Sequence, residues 1–322
     1  MKPRLIVTRR LPAAVERTLA ERFEATFNET DTPLTPAKLS TAFREYDAIL
    51  PTVSDRLSAS VFPDAGIRVK VIANYGVGFS HIDTEAARQH GIVVTNTPDV
   101  LTDCTADLAM SLLLSVARRA GEGERQLRAG QWASWAPTHM IGTKVTGKTL
   151  GIIGMGRIGK AMARRAHFGF DMEIVFHNRS KVDDAETRAL GARQLSTIED
   201  VLREADFVSL HCPGGADNRH LINAQRLSAM KPGAFLINTA RGDVVDQQAL
   251  IEALQAGTIA GAGLDVYENE PEVPAELMAM ENVALLPHLG SATEETRVAM
   301  GMKAVENLTA FFEGRAVPDR VV

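Results

Sequence analysis

The chain has 322 residues, of which 45% are hydrophobic and 23% are charged, and its formal net charge is -5. This length predicts about two domains, and the composition is typical of a globular protein and excludes a disordered chain. The negative net charge disfavours binding to nucleic acid or to anionic lipid. An anionic small ligand would therefore need a local cluster of positive side chains.

The sequence contains no segment that predicts secretion or membrane insertion. The apolar run 5–7 is too short for the core of a signal peptide, and the longest apolar-rich run, 108–117, is shorter than a membrane span. Cys104 and Cys212 are expected to be reduced thiols, because a chain of this size needs no disulfide framework. We predict a cytoplasmic protein that binds neither membrane nor nucleic acid and has no metal site.

In the first hundred residues, short apolar runs alternate with amphipathic stretches, which is typical of a parallel sheet covered by helices. Four strands are predicted, at 5–8, 48–50, 70–74 and 91–96. Two helices are predicted between them, at 11–23 and 35–46. This block predicts one small α/β unit.

A long helix is predicted from Thr102 to Ala129, followed by an irregular aromatic segment, GQWASWAPTHMIG. A second series of six strands is predicted at 149–154, 173–178, 207–213, 234–240, 261–266 and 283–288. A last helix, 293–313, is expected to fold back on the first block. The fold class is therefore α/β with two doubly wound, Rossmann-like parallel-sheet domains. The expected boundaries are 1–101 plus 290–322 for a discontinuous substrate-binding domain, and 102–289 for a dinucleotide-binding domain.

The second series opens with a glycine motif, because Gly154, Gly156 and Gly159 match G-x-G-x-x-G between an apolar strand and a helix. In this motif the first glycine allows a tight turn, the second lets a pyrophosphate approach the backbone, and the third permits close packing of helix on strand. The helix N-terminus offers N–H groups and a partial positive charge to the phosphates. The motif predicts a dinucleotide cofactor.

The residues after the next strand bear on the choice of cofactor. An NAD enzyme is expected to have Asp or Glu there for the ribose 2′-hydroxyl, whereas this chain has His177, Asn178, Arg179 and Ser180. Arg179 could pair with a 2′-phosphate, and Asn178 and Ser180 could donate hydrogen bonds to it. We therefore predict that NADP(H) is preferred, with NAD(H) as the alternative cofactor. The competing interpretation is that Arg179 is a solvated surface residue.

Three charged or titratable residues follow later strands of this series: Arg241, Glu270 and His288. Hydride addition to the carbonyl of a 2-oxo acid needs a proton donor, and imidazole changes its charge near neutral pH. Glu270 could orient the imidazole, and Arg241 could bind the substrate carboxylate and carbonyl with its forked donors. Each residue alone has an ordinary structural interpretation, whereas together they predict a dehydrogenase site.

The chain resembles the D-isomer-specific 2-hydroxyacid dehydrogenase family, and within it the glyoxylate/hydroxypyruvate reductases. The resemblance covers nearly the whole chain and is carried by NYGVGFSHID, TLGIIGMGRIGKAMARR, INTARGDVVDQQAL, AGLDVYENEP and LLPHLGSAT. The order Arg–Glu–His with gaps of 29 and 18 residues is specific to this family.

The resemblance implies that Arg241, Glu270 and His288 are catalytic and that the Val77–Gly78 turn binds the substrate carboxylate through backbone N–H groups. It also implies a homodimer in which Trp135 of one subunit narrows the substrate pocket of the other. The alternative is that Trp132 and Trp135 only pack at an interface. Beyond the glycine motif and residues 178–180, the implied cofactor contacts are Thr105, Arg157, Ile158, Cys212, Pro213, Thr239, Ala240, Asp265 and Gly290.

Two departures and two alternatives accompany the resemblance. Relatives usually have a Thr-rich loop after the HCP strand, whereas this chain has GGADN at 214–218, which puts hydroxyl contacts to the cofactor phosphates in doubt. Glu270 stands before Pro271 where the formate-oxidising branch has Gln, which disfavours that activity. The alternatives are a dehydrogenase of a bulkier D-2-hydroxy acid and a nicotinamide-sensing corepressor, and turnover of glyoxylate would distinguish the corepressor.

Overall fold

The structure is a computed structural model that describes all 322 residues. The chain forms two compact units, one made of Met1–Leu101 with Ser291–Val322 and the other of Thr102–Gly290. Each unit contains a parallel sheet with helices, so the predicted α/β fold class is confirmed. The expected boundary assigned Gly290 to the first domain. In the structure its N–H group donates to the Asp265 carboxylate of the second unit.

The first unit contains a five-stranded sheet in the order β2-β1-β3-β4-β5. Its strands are β1 (Arg4–Val7), β2 (Glu24–Phe27), β3 (Ala48–Leu50), β4 (Val71–Ala73) and β5 (Val93–Thr95). The sequence did not predict β2, because it lies at the sheet edge and alternates exposed with half-buried residues. All residues of β3 and β4 are buried, as the continuous apolar runs predicted.

The helices of the first unit are α1 (Ala13–Arg22), α2 (Pro36–Glu45) and α3 (Thr84–Gln89). Short polar side chains cap two of them: Thr35 accepts the N–H of Lys38, and Asp83 accepts the N–H of Ala86.

The second unit contains a seven-stranded parallel sheet in the order β12-β11-β10-β9-β6-β7-β8. Its strands are β6 (Thr149–Ile153), β7 (Glu173–His177), β8 (Arg193–Gln194), β9 (Phe207–Leu210), β10 (Phe235–Asn238), β11 (Gly261–Leu264) and β12 (Val283–Leu285). The six predicted strands are present, and β8 is additional. It has two residues and no apolar run, so hydrophobic patterning did not predict it.

The helices of this unit are α4 (Thr102–Ala117), α5 (Ala120–Arg128), α6 (Arg157–Phe170), α7 (Ala185–Ala189), α8 (Ile198–Glu204), α9 (Ala224–Ser228), α10 (Gln247–Gln255) and α11 (Ala275–Ala279). The last helix of the chain, α12 (Glu294–Phe312), belongs to the first unit and packs on α1. It does so closely at Gly301, where a Cβ would lie 2.5 Å from Val15 Cγ2. None of the helices is both long enough and apolar enough to cross a membrane.

The prediction of one helix from Thr102 to Ala129 was wrong. The chain leaves the helix after Ala117, and Arg119 adopts a left-handed conformation with φ +53 before α5 begins. Its guanidinium makes two hydrogen bonds of 2.7 Å to Glu122, which hold the bend. No residue of α5 is buried, whereas α4 has a buried apolar face. The buried helix therefore ends with α4, and α5 is a separate, exposed helix.

Candidate active site

Three neighbouring strands bring Arg241, Glu270 and His288 to one edge of the large sheet. Arg241 comes three residues after β10, Glu270 six after β11 and His288 three after β12. These strands are adjacent and parallel, so their carboxyl ends lie side by side, where open α/β sheets bind ligands.

His288 and Glu270 are in direct contact. The imidazole Nδ1 lies 2.7 Å from Glu270 Oε2, and the two side chains are 30% and 33% exposed. Because an ionised carboxylate only accepts hydrogen bonds, Nδ1 must be the donor. Nε2 is then the nitrogen left to exchange a proton with a ligand.

Glu270 is held in its ionised form. Partial burial acts to raise the pKa of the Glu270 carboxyl, but the hydrogen bond and charge of His288 act against it, and the net shift is downward. The backbone N–H of Tyr267, 3.0 Å from Oε1, and the charge of Arg241 also lower this pKa. An ionised Glu270 therefore faces the imidazole as a hydrogen-bond acceptor.

The backbone around His288 is fixed by Asp265. His288 has φ +56, in the left-handed region that residues with a side chain seldom adopt. Its N–H donates to the Asp265 carbonyl at 2.9 Å, and the Asp265 carboxylate accepts the N–H groups of Leu289 at 2.6 Å and Gly290 at 2.8 Å. Asp265 is 1% exposed, and burial raises the pKa of its carboxyl. Both oxygens therefore bind the turn that carries the histidine.

The loop that carries Arg241 is held by Asn238, the last residue of β10. The Asn238 side chain donates to the Arg241 carbonyl at 2.9 Å and accepts the Ala240 N–H at 3.0 Å. Gly242 allows the loop to lie against the backbone of Tyr267, where a Cβ would be 1.9 Å from the carbonyl carbon. A side chain at position 242 would force the loop away.

The Arg241 guanidinium is positioned to bind an anion. One of its donors is used internally, since Nη1 lies 2.7 Å from the Ala240 carbonyl. Burial lowers the pKa of Arg241, with Glu270 and Asp243 acting in the opposite direction. A guanidinium stays charged in proteins, so the site presents one fixed cation beside the His288–Glu270 pair.

The glycine motif has the shape that a dinucleotide requires. Gly154 has φ +97, and a Cβ there would lie 2.8 Å from the backbone N of Cys212. A Cβ at Gly159 would lie 2.3 Å from the Gly154 carbonyl oxygen. At Gly156, the N-cap of α6, a Cβ would meet no atom within 4 Å. Close packing thus requires the outer two glycines, and the middle one faces open space.

The surroundings of the motif fit a bound dinucleotide. β6 and β9 are neighbours at the point where the strand order reverses, and Gly154 and Cys212 follow their ends. Ile158 and Gly159 lie in the first turn of α6, whose N–H groups have no acceptor within the helix. Thr239 Oγ1 is buried without a hydrogen-bond partner. An unpaired buried hydroxyl is costly unless a ligand pairs with it.

The predicted 2′-phosphate residues lie in a turn after β7. Gln194 of β8 holds this turn by donating to the carbonyls of Asn178 at 3.2 Å and Ser180 at 3.0 Å. The Asn178 amide donates to Ser180 Oγ at 3.1 Å. Arg179 is exposed and makes no ion pair within the chain. No carboxylate stands among residues 177–180.

The other predicted residues are placed as follows. Thr105 of α4 donates through its hydroxyl to the Gly290 carbonyl at 3.0 Å, so it supports the turn beyond His288. Cys212 is half-buried, and burial raises its thiol pKa to about 11, which keeps it neutral. Trp135 lies in the segment between α5 and β6 and is 79% exposed. The Val77–Gly78 turn follows β4 in the first unit.

Sequence reasoning missed Asn238 and Tyr267. Tyr267 holds two parts of the site: its backbone N–H donates to the Glu270 carboxylate, and its hydroxyl lies 2.9 Å from the Leu286 carbonyl, two residues before His288. An Asn at the end of a buried strand was a usable signal, but nothing local marked the tyrosine. The loop 214–218, where relatives usually have threonines, is held by Asp243, whose Oδ2 accepts the Gly215 N–H at 3.0 Å.

The chain is similar to known proteins over its whole length. The family model for the NAD-binding domain of D-isomer specific 2-hydroxyacid dehydrogenases matches residues 110–290. A glyoxylate reductase of Pyrococcus furiosus is 45% identical, with 100% of this chain and 96% of the relative covered. An NADPH-dependent glyoxylate/hydroxypyruvate reductase of Sinorhizobium meliloti, solved with NADP and malonate, is 37% identical with a TM-score of 0.87, covering 100% of this chain and 97% of that one.

The chain therefore belongs to the D-isomer-specific 2-hydroxyacid dehydrogenase family. Within that family its relatives include further archaeal glyoxylate reductases, such as that of Thermococcus kodakarensis, 45% identical over 100% of this chain and 96% of the relative. The resemblance drawn from the sequence motifs is thus confirmed.

Proposed function

We propose that this protein reduces a small 2-oxo acid, glyoxylate or hydroxypyruvate, to the 2-hydroxy acid with a reduced nicotinamide cofactor. The observation that carries the proposal is the 2.7 Å contact of His288 with Glu270 at the sheet edge that also bears Arg241. The glyoxylate reductases among the relatives cover this chain from end to end, which supports the same substrate class.

The residues divide the work of the reduction. A reduced nicotinamide, when bound along the Gly154–Gly159 motif, supplies the hydride for the carbonyl carbon. Arg241 binds the substrate through its charge and forked donors and polarises the carbonyl. His288 gives its Nε2 proton to the carbonyl oxygen as negative charge develops there. The product is a hydroxyl group and a neutral imidazole, which Glu270 keeps oriented until water returns the proton.

Steady-state kinetics test this activity. The wild-type protein is expected to reduce glyoxylate and hydroxypyruvate with a higher kcat/KM than pyruvate or 3-phosphohydroxypyruvate. His288→Ala should lower kcat by ~100- to 10,000-fold, the usual effect of losing a general acid, while cofactor binding remains. Near-normal turnover by His288→Ala would contradict the assigned role. No turnover of any 2-oxo acid by the wild type would contradict the proposed function and favour a nicotinamide-sensing protein.

We propose NADP(H) as the preferred cofactor. The exposed Arg179, without an ion pair in the chain, stands where a carboxylate would repel a 2′-phosphate. Arg179→Ala should raise KM for NADPH by about tenfold, the effect of losing about 1.4 kcal/mol from one charge-assisted contact, with little change for NADH. Arg188→Ala serves as a matched control, since that exposed arginine pairs with Asp183. An unchanged KM for NADPH would assign Arg179 to the solvated surface.

We further propose a homodimer in which Trp135 reaches the partner's substrate pocket. Its side chain is 79% exposed in a segment without helix or strand, and an exposed aromatic side chain of this size is typical of an interface. The Val77–Gly78 turn is proposed to bind the substrate carboxylate. The expected cytoplasmic location rests on the sequence and stays a prediction.

A further inference from the structure

Three successive carbonyl groups in the turn after β4 accept hydrogen bonds from within the first unit. The Gly76 carbonyl accepts the Asn74 side-chain amide at 2.9 Å and the Thr97 N–H at 3.1 Å. The Val77 carbonyl accepts the Asn96 side chain at 2.9 Å, and the Gly78 carbonyl accepts Asn74 again at 3.1 Å. Three successive peptide groups therefore have their oxygens fixed by buried or half-buried amides.

The orientation of the Asn74 amide follows from these contacts. A carbonyl oxygen only accepts hydrogen bonds, so the Asn74 atom that lies near two carbonyls must be the NH2 group. Its Oδ1 then faces His81 Nε2 at 3.0 Å, and that nitrogen must carry a proton. Asn74 is fully buried, and a flipped amide would place its oxygen against two other oxygens. His81 thus selects the orientation that holds the turn.

The opposite side of the same peptides is left available. Neither the Val77 N–H nor the Gly78 N–H has an acceptor within the chain, and both residues are half-buried rather than enclosed. Fixing the oxygens on one side of a peptide fixes the N–H groups on the other, because the peptide is planar and trans. Backbone N–H groups held in advance bind an anion without the cost of ordering the loop.

We propose that Asn74 and His81 are positioning residues for the substrate carboxylate. Asn74 fixes the Val77 N–H through the Gly76 carbonyl, and Asn96 fixes the Gly78 N–H through the Val77 carbonyl, between the two carbonyls that Asn74 binds. The inference rests on the proposed reduction of a 2-oxo acid and extends it to side chains that do not touch the substrate. Its effect is on ground-state binding of the carboxylate, which is the same before and during hydride transfer. Losing it should therefore raise KM and leave kcat nearly unchanged.

The test compares His81→Ala with His81→Gln in the full-length protein. His81→Ala should raise KM for glyoxylate by about tenfold, with kcat within about threefold of wild type and an unchanged Kd for NADPH. His81→Gln, which restores an N–H donor toward Asn74, should recover most of the affinity. Asn74→Asp, which exchanges the NH2 group for an oxygen, should raise KM further where the variant folds. His90→Ala, at an exposed position after α3, is the control and should match wild type.

The positioning role and the proposed function are separated by the same experiment. A wild-type protein that turns over glyoxylate, together with an unchanged KM in His81→Ala, would overturn the positioning role alone. That role would also be overturned if His81→Ala and His81→Gln showed the same fall in kcat and the same rise in KM. Such an equal effect would mean that any substitution at this position disrupts the site. A wild type without turnover of any 2-oxo acid would contradict the proposed function, and the positioning role with it.

Discussion

His288 stands in a backbone conformation that must be held from outside. A left-handed φ costs a residue with a side chain roughly 1–2 kcal/mol, and three N–H donations to Asp265 accompany it here. A net contribution of about 1 kcal/mol or more for each such hydrogen bond offsets the strain. The gain for chemistry is a fixed backbone at His288, from which the imidazole reaches Glu270 Oε2 at 2.7 Å.

Glu270 should contribute its charge to the reduction. Against the effect of partial burial, the hydrogen bond and charge of His288 hold the pKa of the Glu270 carboxyl below its ordinary value, so the carboxylate is ionised throughout the neutral range. Glu270→Gln keeps the size of the side chain and loses this charge, so kcat/KM for glyoxylate should fall by about tenfold. In the wild type, kcat/KM should fall on the acid side only as the pH approaches the lowered pKa of this carboxyl, and Glu270→Gln should lack that acid limb. Profiles of kcat/KM for glyoxylate between about pH 4 and 9 measure both effects.

The neighbouring Glu268 supplies a control for this experiment. Its carboxylate pairs with Arg219 and His220 and does not contact His288. Glu268→Gln should therefore keep the wild-type profile. If both variants gave the wild-type profile and the wild-type kcat/KM, the charge of Glu270 would have no part in the reduction.

The sequence predicted the side chains of the site but not the hydrogen bonds that hold them in place. The order and spacing of Arg241, Glu270 and His288 predicted one site, and the structure brings them to one sheet edge. The binding of Asp265 to the N–H groups of the His288 turn depends on backbone dihedrals that no pattern encodes. Asn74 was likewise noted only as part of the motif NYGVGFSHID, because its hydrogen bonds to the Gly76 and Gly78 carbonyls depend on the shape of the folded turn.

The helices and strands predicted from the sequence are confirmed where most of their residues are buried. Continuous apolar runs predicted β3, β4, β9 and β10, which are buried throughout, since strands covered on both faces must be apolar. The edge strands β2 and β8 lack such runs, and their pairing is decided by neighbours that the local sequence does not contain. The break between α4 and α5 was also missed, because Arg119 and Glu122 are ordinary residues for a helix.

The whole molecule has a net charge of -5 yet is proposed to bind an anionic acid. A local field must then act against the general one. Arg241 carries the positive charge of the candidate site, and the N–H groups at Val77 and Gly78 are proposed to add to it. Because a surrounding negative field repels anions that these groups do not bind, small acids with a single carboxylate should be favoured over multiply charged ones.

Subunit mixing tests the proposed dimer and the reach of Trp135 together. Trp135→Ala should lower the preference for glyoxylate over pyruvate by about tenfold, a usual scale for one lost pocket contact, and His288→Ala should be nearly inactive. A hybrid dimer combines one Trp135→Ala subunit, which keeps His288, with one His288→Ala subunit, which keeps Trp135. If Trp135 acts across the interface, purified hybrids should regain the wild-type preference at about half the wild-type activity, since one of the two sites is complete.

The same mixture distinguishes the other arrangements. If Trp135 narrows the pocket of its own subunit, the hybrid keeps the altered preference of Trp135→Ala, because the only active subunit lacks that side chain. If the chain is a monomer, differently tagged variants will not co-purify, and sedimentation will give a single-chain mass. Trp132→Ala is the matched control, since Trp132 is 51% exposed in the same segment. It should leave the preference unchanged, because a contribution from packing alone does not discriminate between substrates.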